Sequence, residues 1–266
     1  MNIIVCIKQV PDTTDVKINP ETNTLVREGI QNIINPFDLY AIEEALRLKE
    51  KFGGKVSTIS LGPPQSINAL KEAVGMGADE AIQLSDRAFA GSDSWATAYT
   101  LALAIKKIGE FDIILCGKQA IDGDTGQVGP GIASQLGITQ LTYVFKIISL
   151  DPEAGAITVE RLLEEGREIV EARLPALLTV VKDINQPRRP TLFHIRRASK
   201  LLIPTWTAAD LPGADSTRLG LTGSPTQVIK IFSPPKREGV LNLITADNVE
   251  QSASVLADKI IAEKIL

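Results

Sequence analysis

The stretch Asp112-Ile113-Ile114-Leu115-Cys116-Gly117-Lys118-Gln119-Ala120-Ile121-Asp122-Gly123-Asp124-Thr125-Gly126-Gln127-Val128-Gly129-Pro130 decides the fold. A short apolar, β-branched run reads as a buried strand. It empties into a glycine-rich loop, and about Pro130–Leu136 continues as a short helix. In an open parallel sheet, ligands bind beyond the carboxyl ends of the strands, and helix N-termini attract anions. Glycines at 123, 126 and 129 let backbone N–H groups approach a pyrophosphate. Thr125 and Gln127 add neutral hydrogen bonds, and Asp122 is placed to take a ribose hydroxyl or to orient the loop. The stretch is neither a Walker A loop, since no G-K-[ST] ends it, nor a G-x-G-x-x-G. A plain glycine-rich turn fits the same spacing.

The neighbouring segments repeat the pattern. Asn2–Ile7, Val56–Leu61 and Ala81–Leu84 are further candidate strands. Helical patterns fall at Ser66–Val74, at Asp93–Ile108, and in a helix opened by Asn35-Pro36 and closed by Gly53-Gly54. Asparagine can cap that helix, and Leu39, Ile42, Leu46 and Leu48 fall mostly on one face. Strands alternating with helices over short loops predict an α/β fold, a doubly wound, mainly parallel sheet of Rossmann-like, adenine-nucleotide-binding type. Val16–Asn19 and Thr24–Arg27 suggest a small hairpin. Thr142–Ile148, Ala156–Leu163 and Arg167–Ala172 read as an antiparallel addition, and Ala176–Val181 as a last core strand.

From about Ile184 proline and glycine recur, and periodicity is lost until a final helix near Asn248–Lys264. The segment keeps Leu202, Ile203, Trp206, Val228, Ile229, Ile231 and Phe232, more apolar content than a disordered tail carries. The expected division is therefore an α/β nucleotide-binding domain over 1–183 and, over 184–266, an extended C-terminal arm that ends in a helix and packs on another chain.

Composition narrows the function classes. Of 266 residues, 44% are hydrophobic and 23% charged, as in a globular protein with a sizeable core. A formal net charge of −4 argues against bulk nucleic-acid binding. No apolar run reaches the roughly 18 residues of a membrane span, and the N-terminus lacks signal-peptide features. Cys6 and Cys116 are the two cysteines, without C-x-x-C, and read as reduced thiols of a cytoplasmic protein; a disulfide between them is the lesser alternative. The single histidine, His194, reads as an exposed loop residue. It leaves no multi-histidine metal site, and no nucleophile stands near it for hydrolytic chemistry.

Two loops share the rim with the glycine loop: Lys8-Gln9-Val10-Pro11-Asp12-Thr13 and Leu61-Gly62-Pro63-Pro64. The helix start Asn35-Pro36-Phe37-Asp38 joins them. Together they outline an adenine-nucleotide cleft without a catalytic acid–base pair. Along nearly its whole length the sequence resembles electron-transfer flavoprotein β subunits. The resemblance rests on Val5-Cys6-Ile7-Lys8-Gln9-Val10-Pro11-Asp12-Thr13, on Asn35-Pro36-Phe37-Asp38 with Ala41, Glu43, Glu44, Ala45 and Leu46, on Gly75-Met76-Gly77-Ala78-Asp79, and above all on Gly117-Lys118-Gln119-Ala120-Ile121-Asp122.

That resemblance implies an α subunit as partner and a nucleotide bound by Cys6, Asn35, Pro36, Phe37, Asp38, Leu61 and the loop Gly117 to Val128. The nucleotide is AMP in simple carriers and FAD in electron-bifurcating members. Asp122 to Pro130, Val10-Pro11-Asp12-Thr13 and Ser224-Pro225-Thr226-Gln227-Val228 are similar to bifurcating members, which favours FAD, with NADH as electron donor or acceptor. Ferredoxin is left open as a further partner. Asn185 to Arg197 resembles the family's recognition loop, in which a leucine, here Leu192, enters a pocket of a flavin-containing dehydrogenase of acyl-CoA dehydrogenase or other type. Arg188, Arg189, Arg196 and Arg197 ring that leucine. Arg189-Pro190 and Phe193-His194 depart from the common pattern. A universal-stress-type nucleotide-binding regulatory protein shares the layout, yet needs neither the arm nor the basic segment.

Overall fold

The computed structural model describes residues 1–12, 31–229, 239, 241–244 and 248–263. The hairpin expected within 16–27 lies outside the described residues. The chain divides into two units, Met1–Ile229 and Lys230–Leu266.

The first unit starts with β1 (Asn2–Cys6), a short pair β2 (Gln9–Pro11) and β3 (Asn32–Ile34), and α1 (Pro36–Phe52). It continues through β4 (Lys55–Leu61), α2 (Ile67–Met76), β5 (Glu80–Leu84), α3 (Ser94–Ile108), β6 (Ile113–Gly117) and α4 (Val128–Leu136). Then come β7 (Thr139–Asp151), β8 (Ala156–Leu163), β9 (Gly166–Arg173), β10 (Ala176–Val180), α5 (Leu192–Lys200) and β11 (Thr205–Trp206).

One nine-stranded sheet runs in the order β11-β5-β4-β1-β6-β10-β7-β8-β9. It is parallel from β11 to β7 and antiparallel through β8 and β9. This is the doubly wound α/β arrangement that the alternation predicts, with the antiparallel addition where expected. The central strands β1 and β6 are apolar on both faces because both faces are covered. Ile3 and Val5 of β1 face the core under α1 and α2, while Ile4 and Cys6 face the core under α3 and α4.

The chain passes from β1 outward through β4 and β5, then returns across the sheet to β6 on the other side of β1. The connections from the carboxyl ends of β1 and β6 therefore leave in opposite directions. A crevice opens between them, the switch point where such sheets take ligands.

From Ile184 to Ile229 the chain stays on this unit. β11 adds to the sheet beside β5, and α5 lies against α2. α5 replaces the loop expected at 185–197. Prolines 187 and 190 hide it in the sequence, but the Thr191 side chain accepts from the His194 N–H at 3.2 Å and starts the helix. His194 is thus a half-buried helix residue. In the second unit, α6 (Val249–Ala262) is capped by the Asn248 side chain. No described helix is long and apolar enough to cross a membrane.

Candidate nucleotide crevice

Cys6 ends β1, Cys116 stands one residue before the end of β6, and the two are register partners across the β1–β6 pair. Both are buried free thiols. The hydrogen bond with Cys6, together with burial, pushes the Cys116 thiol up, which keeps Cys116 in the thiol form.

Above them, α1 enters with its N-terminus at the rim. Asn35 was expected to cap this helix, but its side chain makes no cap hydrogen bond. It reaches across 84 residues instead: its Nδ2 donates to the Gln119 carbonyl at 2.8 Å and to Asp38 Oδ1 at 2.9 Å. Its Oδ1 accepts from the Ile121 N–H at 3.2 Å. The Asp38 carboxylate accepts two more bonds, from the N–H of Lys8 at 2.7 Å and of Gly117 at 3.2 Å. Three segments remote in sequence are thereby held by two buried side chains. Burial pushes the Asp38 carboxyl up to about 7, although the donors from Asn35, Lys8 and Gly117 pull the other way.

Gly117 is required at this junction. A Cβ there would stand 2.3 Å from Asp38 Oδ1 and 2.7 Å from the Phe37 backbone. Phe37 and Pro36 are half-buried against the same corner. On the open side of the crevice, Lys8 Nζ lies 2.7 Å from both Asp122 carboxylate oxygens, tying the loop after β1 to the loop after β6. Gln9 Nε2 donates to the Gln65 carbonyl at 3.2 Å, which brings the segment after Leu61 onto the same rim. Residues 121–125 are exposed there, and the Gln119 side chain donates a hydrogen bond to Asp124 among them.

The loop turns left-handed before it enters α4. Asp124 and Gly126 have φ of +54° and +62°, and the first helical backbone bond, Gly131 N–H to the Gln127 carbonyl, forms at 2.9 Å. The N–H groups of Gln127, Val128 and Gly129 come before it, where helix geometry leaves donors without intrahelical partners. The three glycines expected to admit a pyrophosphate differ in what they do. Gly126 is held in a left-handed turn. Gly129 is a packing residue, since a Cβ would lie 2.6 Å from Thr179 Cγ2; Gly123 has open space around it.

Sequence reasoning missed two other parts of the region. Ser224 and Thr226 fasten the segment before Ile229 to the start of α3: Asp93 N–H donates to Ser224 Oγ at 2.8 Å, and Thr226 N–H and Oγ1 donate to Asp93 Oδ2 at 3.0 and 2.9 Å. Ser94, next in α3, meets Gln127 of the glycine loop at 3.4 Å. Ser224-Pro225-Thr226 was thus visible in the sequence, but its place at this rim was not. Arg188, expected to ring Leu192, turns inward instead. Its Nε lies 2.8 Å from buried Glu43 and its guanidinium also binds Glu50, which fixes the segment before α5 to α1. Leu192 is the first residue of α5, 86% exposed, beside exposed Arg189, Phe193, Arg196 and Arg197.

Parallel strands, with a crevice at their switch point and the glycine loop leading into a helix beside it, define a protein of the doubly wound α/β class. The family model described as "Electron transfer flavoprotein domain" matches residues 22–211. Over the full length of both chains this sequence is 49% identical to "Electron transfer flavoprotein subunit beta" of Megasphaera elsdenii. It is equally similar to the protein of that name in Thermoanaerobacterium thermosaccharolyticum. It is 46% identical to "Protein FixA" of Bradyrhizobium diazoefficiens, over 98% of this chain and 91% of that one. The chain belongs to the electron-transfer flavoprotein family, among chains of the β-subunit and FixA type.

Proposed function

We propose that this chain is the nucleotide-binding β subunit of a heterodimeric electron-transfer flavoprotein. In this reading it holds FAD in the crevice between β1 and β6. The observation that carries the reading is the convergence of β1, α1 and β6 on one crevice through Asn35 and Asp38, from which the glycine loop runs on into α4. FAD would supply a ring that takes up and releases electrons, while the protein sets its position and surroundings. Cys6 and Leu61 border the adenine side, the loop Gly117 to Val128 follows the ribose and phosphates, and the N–H groups of Gln127 to Gly129 meet the pyrophosphate. Lys8 and Lys118 offset its charge. The Ser224-Pro225-Thr226 segment, fixed to Asp93 next to the Ser94 that meets Gln127, is similar to that of bifurcating members and so favours FAD over AMP.

With an α subunit, electrons would pass between NADH, flavins and a partner dehydrogenase by flavin-based bifurcation, with ferredoxin as a candidate low-potential acceptor. The α subunit would cover apolar side chains of the 184–266 arm, among them Leu202, Val228, Ile229, Leu241, Leu243 and Ile261, all exposed in this chain. Acid extraction of the purified heterodimer tests the cofactor directly. Two FADs per heterodimer are expected; one FAD and one AMP would make the protein a simple carrier with a structural nucleotide.

A further inference from the structure

Tyr143 is anomalous in three respects that converge. It lies in β7 where the register with β10 shifts between Leu178 and Val180, and its φ is +58°. At such a bulge a left-handed residue is ordinarily glycine, because a Cβ is strained there. The sequence places a tyrosine instead, and 41% of it is exposed. Strain of this kind persists where the surroundings over-determine it, and it concentrates at binding sites.

The surroundings are those of the crevice. The Tyr143 N–H donates to Thr179 Oγ1 at 3.2 Å, and the Cγ2 of the same threonine is the atom that a Cβ on Gly129 would strike. Gly129 belongs to the first turn of α4, where the anion would sit. From the other side, Lys118 Nζ lies 5.0 Å from the Tyr143 ring centroid, and the Lys118 carbonyl is the atom nearest to a Cβ built on Gly126. Tyr143, Thr179, Gly129, Gly126 and Lys118 thus surround the N-terminus of α4. Across the rim, β4, β1, β6, β10 and β7 follow one another. Tyr143 stands on the far side of α4's anion position from Leu61 and Cys6.

We infer that Tyr143 is a stacking platform for a planar heteroaromatic ring carried on the phosphate chain that α4 holds, that is, for the isoalloxazine end of FAD and not its adenine. The inference rests on the nucleotide reading of the crevice and adds a subsite to it. Lys118 occupies one side of the phenol ring, and the exposed side is free to stack on an electron-poor ring. The bulge turns the tyrosine outward, which an unbulged strand would not do.

Equilibrium binding of FAD and of AMP to the full chain, for the wild type and for Tyr143→Gly and Tyr143→Phe, tests this. Tyr143→Gly should weaken FAD binding about tenfold and leave AMP within about twofold, the loss expected for one ring stack. The same variant should melt no lower than the wild type, because glycine relieves the left-handed strain. Tyr143→Phe should retain FAD affinity. Equal losses of FAD and AMP, or undiminished FAD binding in Tyr143→Gly, would overturn the subsite while leaving the nucleotide site standing. A wild-type chain that binds neither nucleotide would overturn both.

Discussion

The rim of the crevice and the surface of α5 are built on opposite principles. At the rim, Asn35 and Asp38 are buried and their bonds reach segments remote in sequence: Asn35 to Gln119 and Ile121, Asp38 to Lys8 and Gly117. On α5 and just before it, large apolar side chains are exposed among arginines: Leu192, Phe193 and Ile195 with Arg189, Arg196 and Arg197. A buried polar network fixes geometry, because each unpartnered group would be costly. An apolar patch ringed by charge leaves geometry to whatever covers it. The first suits a ligand held permanently, the second a partner met and released. The contrast fails if either region can be altered with the effect expected of the other.

Asn35→Ala should have the largest effect on stability. It removes three hydrogen bonds in a site with 1% exposure of the residue and leaves the Ile121 N–H and Asp38 Oδ1 short of partners. A loss of about 3 kcal/mol is expected in urea unfolding, together with weakened nucleotide retention. A variant as stable as the wild type would show that the rim is not held by this network.

Leu192→Ala should leave the melting temperature unchanged, since the residue packs on little within this chain. If α5 is the docking surface, partner-dependent electron transfer should weaken by about 2 kcal/mol in affinity, about 30-fold, with nucleotide content intact. A lowered melting temperature with unchanged partner kinetics would make Leu192 a packing residue and remove the docking role.

The difference between the regions also explains what the sequence could tell. Strands β1 and β6 are legible because burial on both faces forces continuous apolar runs, and the glycine loop because it follows such a run. α5 was concealed by the prolines at 187 and 190, which announce a loop one turn before a helix begins. The inward turn of Arg188 depends on Glu43, 145 positions away, and no local pattern carries that information. Asn35 was correctly placed at the start of α1, but local rules assign it a cap, and only the fold brings Gln119 within reach. The cleft was therefore readable as a set of loops, and the network that binds those loops together was not.

A smaller effect follows from Asp38. Its carboxyl is raised to about 7 in the folded chain by burial, from an ordinary value of 3.8. Between these values the folded state binds more protons than the unfolded one. This contribution to stability is full below about pH 4, falls as pH rises toward 7, and is gone above that. The slope is at most about 1.4 kcal/mol per pH unit. Asp38→Asn should abolish this component, so the difference in unfolding free energy between variant and wild type should change between pH 5 and pH 7. A difference independent of pH would mean that Asp38 stays ionised throughout, held by its three donors.

Gly123 and Gly126 give the finest test, because they stand three residues apart in one loop and answer to different constraints. Gly126 has a φ of +62°, so Gly126→Ala carries left-handed strain of about 1 kcal/mol whether or not a ligand is bound. At Gly123 a Cβ would meet nothing within 4 Å and φ lies outside the left-handed region, so Gly123→Ala should leave stability unchanged. Any loss of nucleotide affinity in Gly123→Ala would then come from the ligand meeting the new methyl group, which the chain by itself does not. Nucleotide affinity that falls in both variants, with only Gly126→Ala destabilised, places the phosphate chain along residues 123–126. Affinity lost only in Gly126→Ala confines the contact to the N-terminus of α4. Unchanged affinity in both would move the nucleotide off this loop and break the first half of the contrast, since the network around Asn35 and Asp38 would then be holding a loop that no ligand uses.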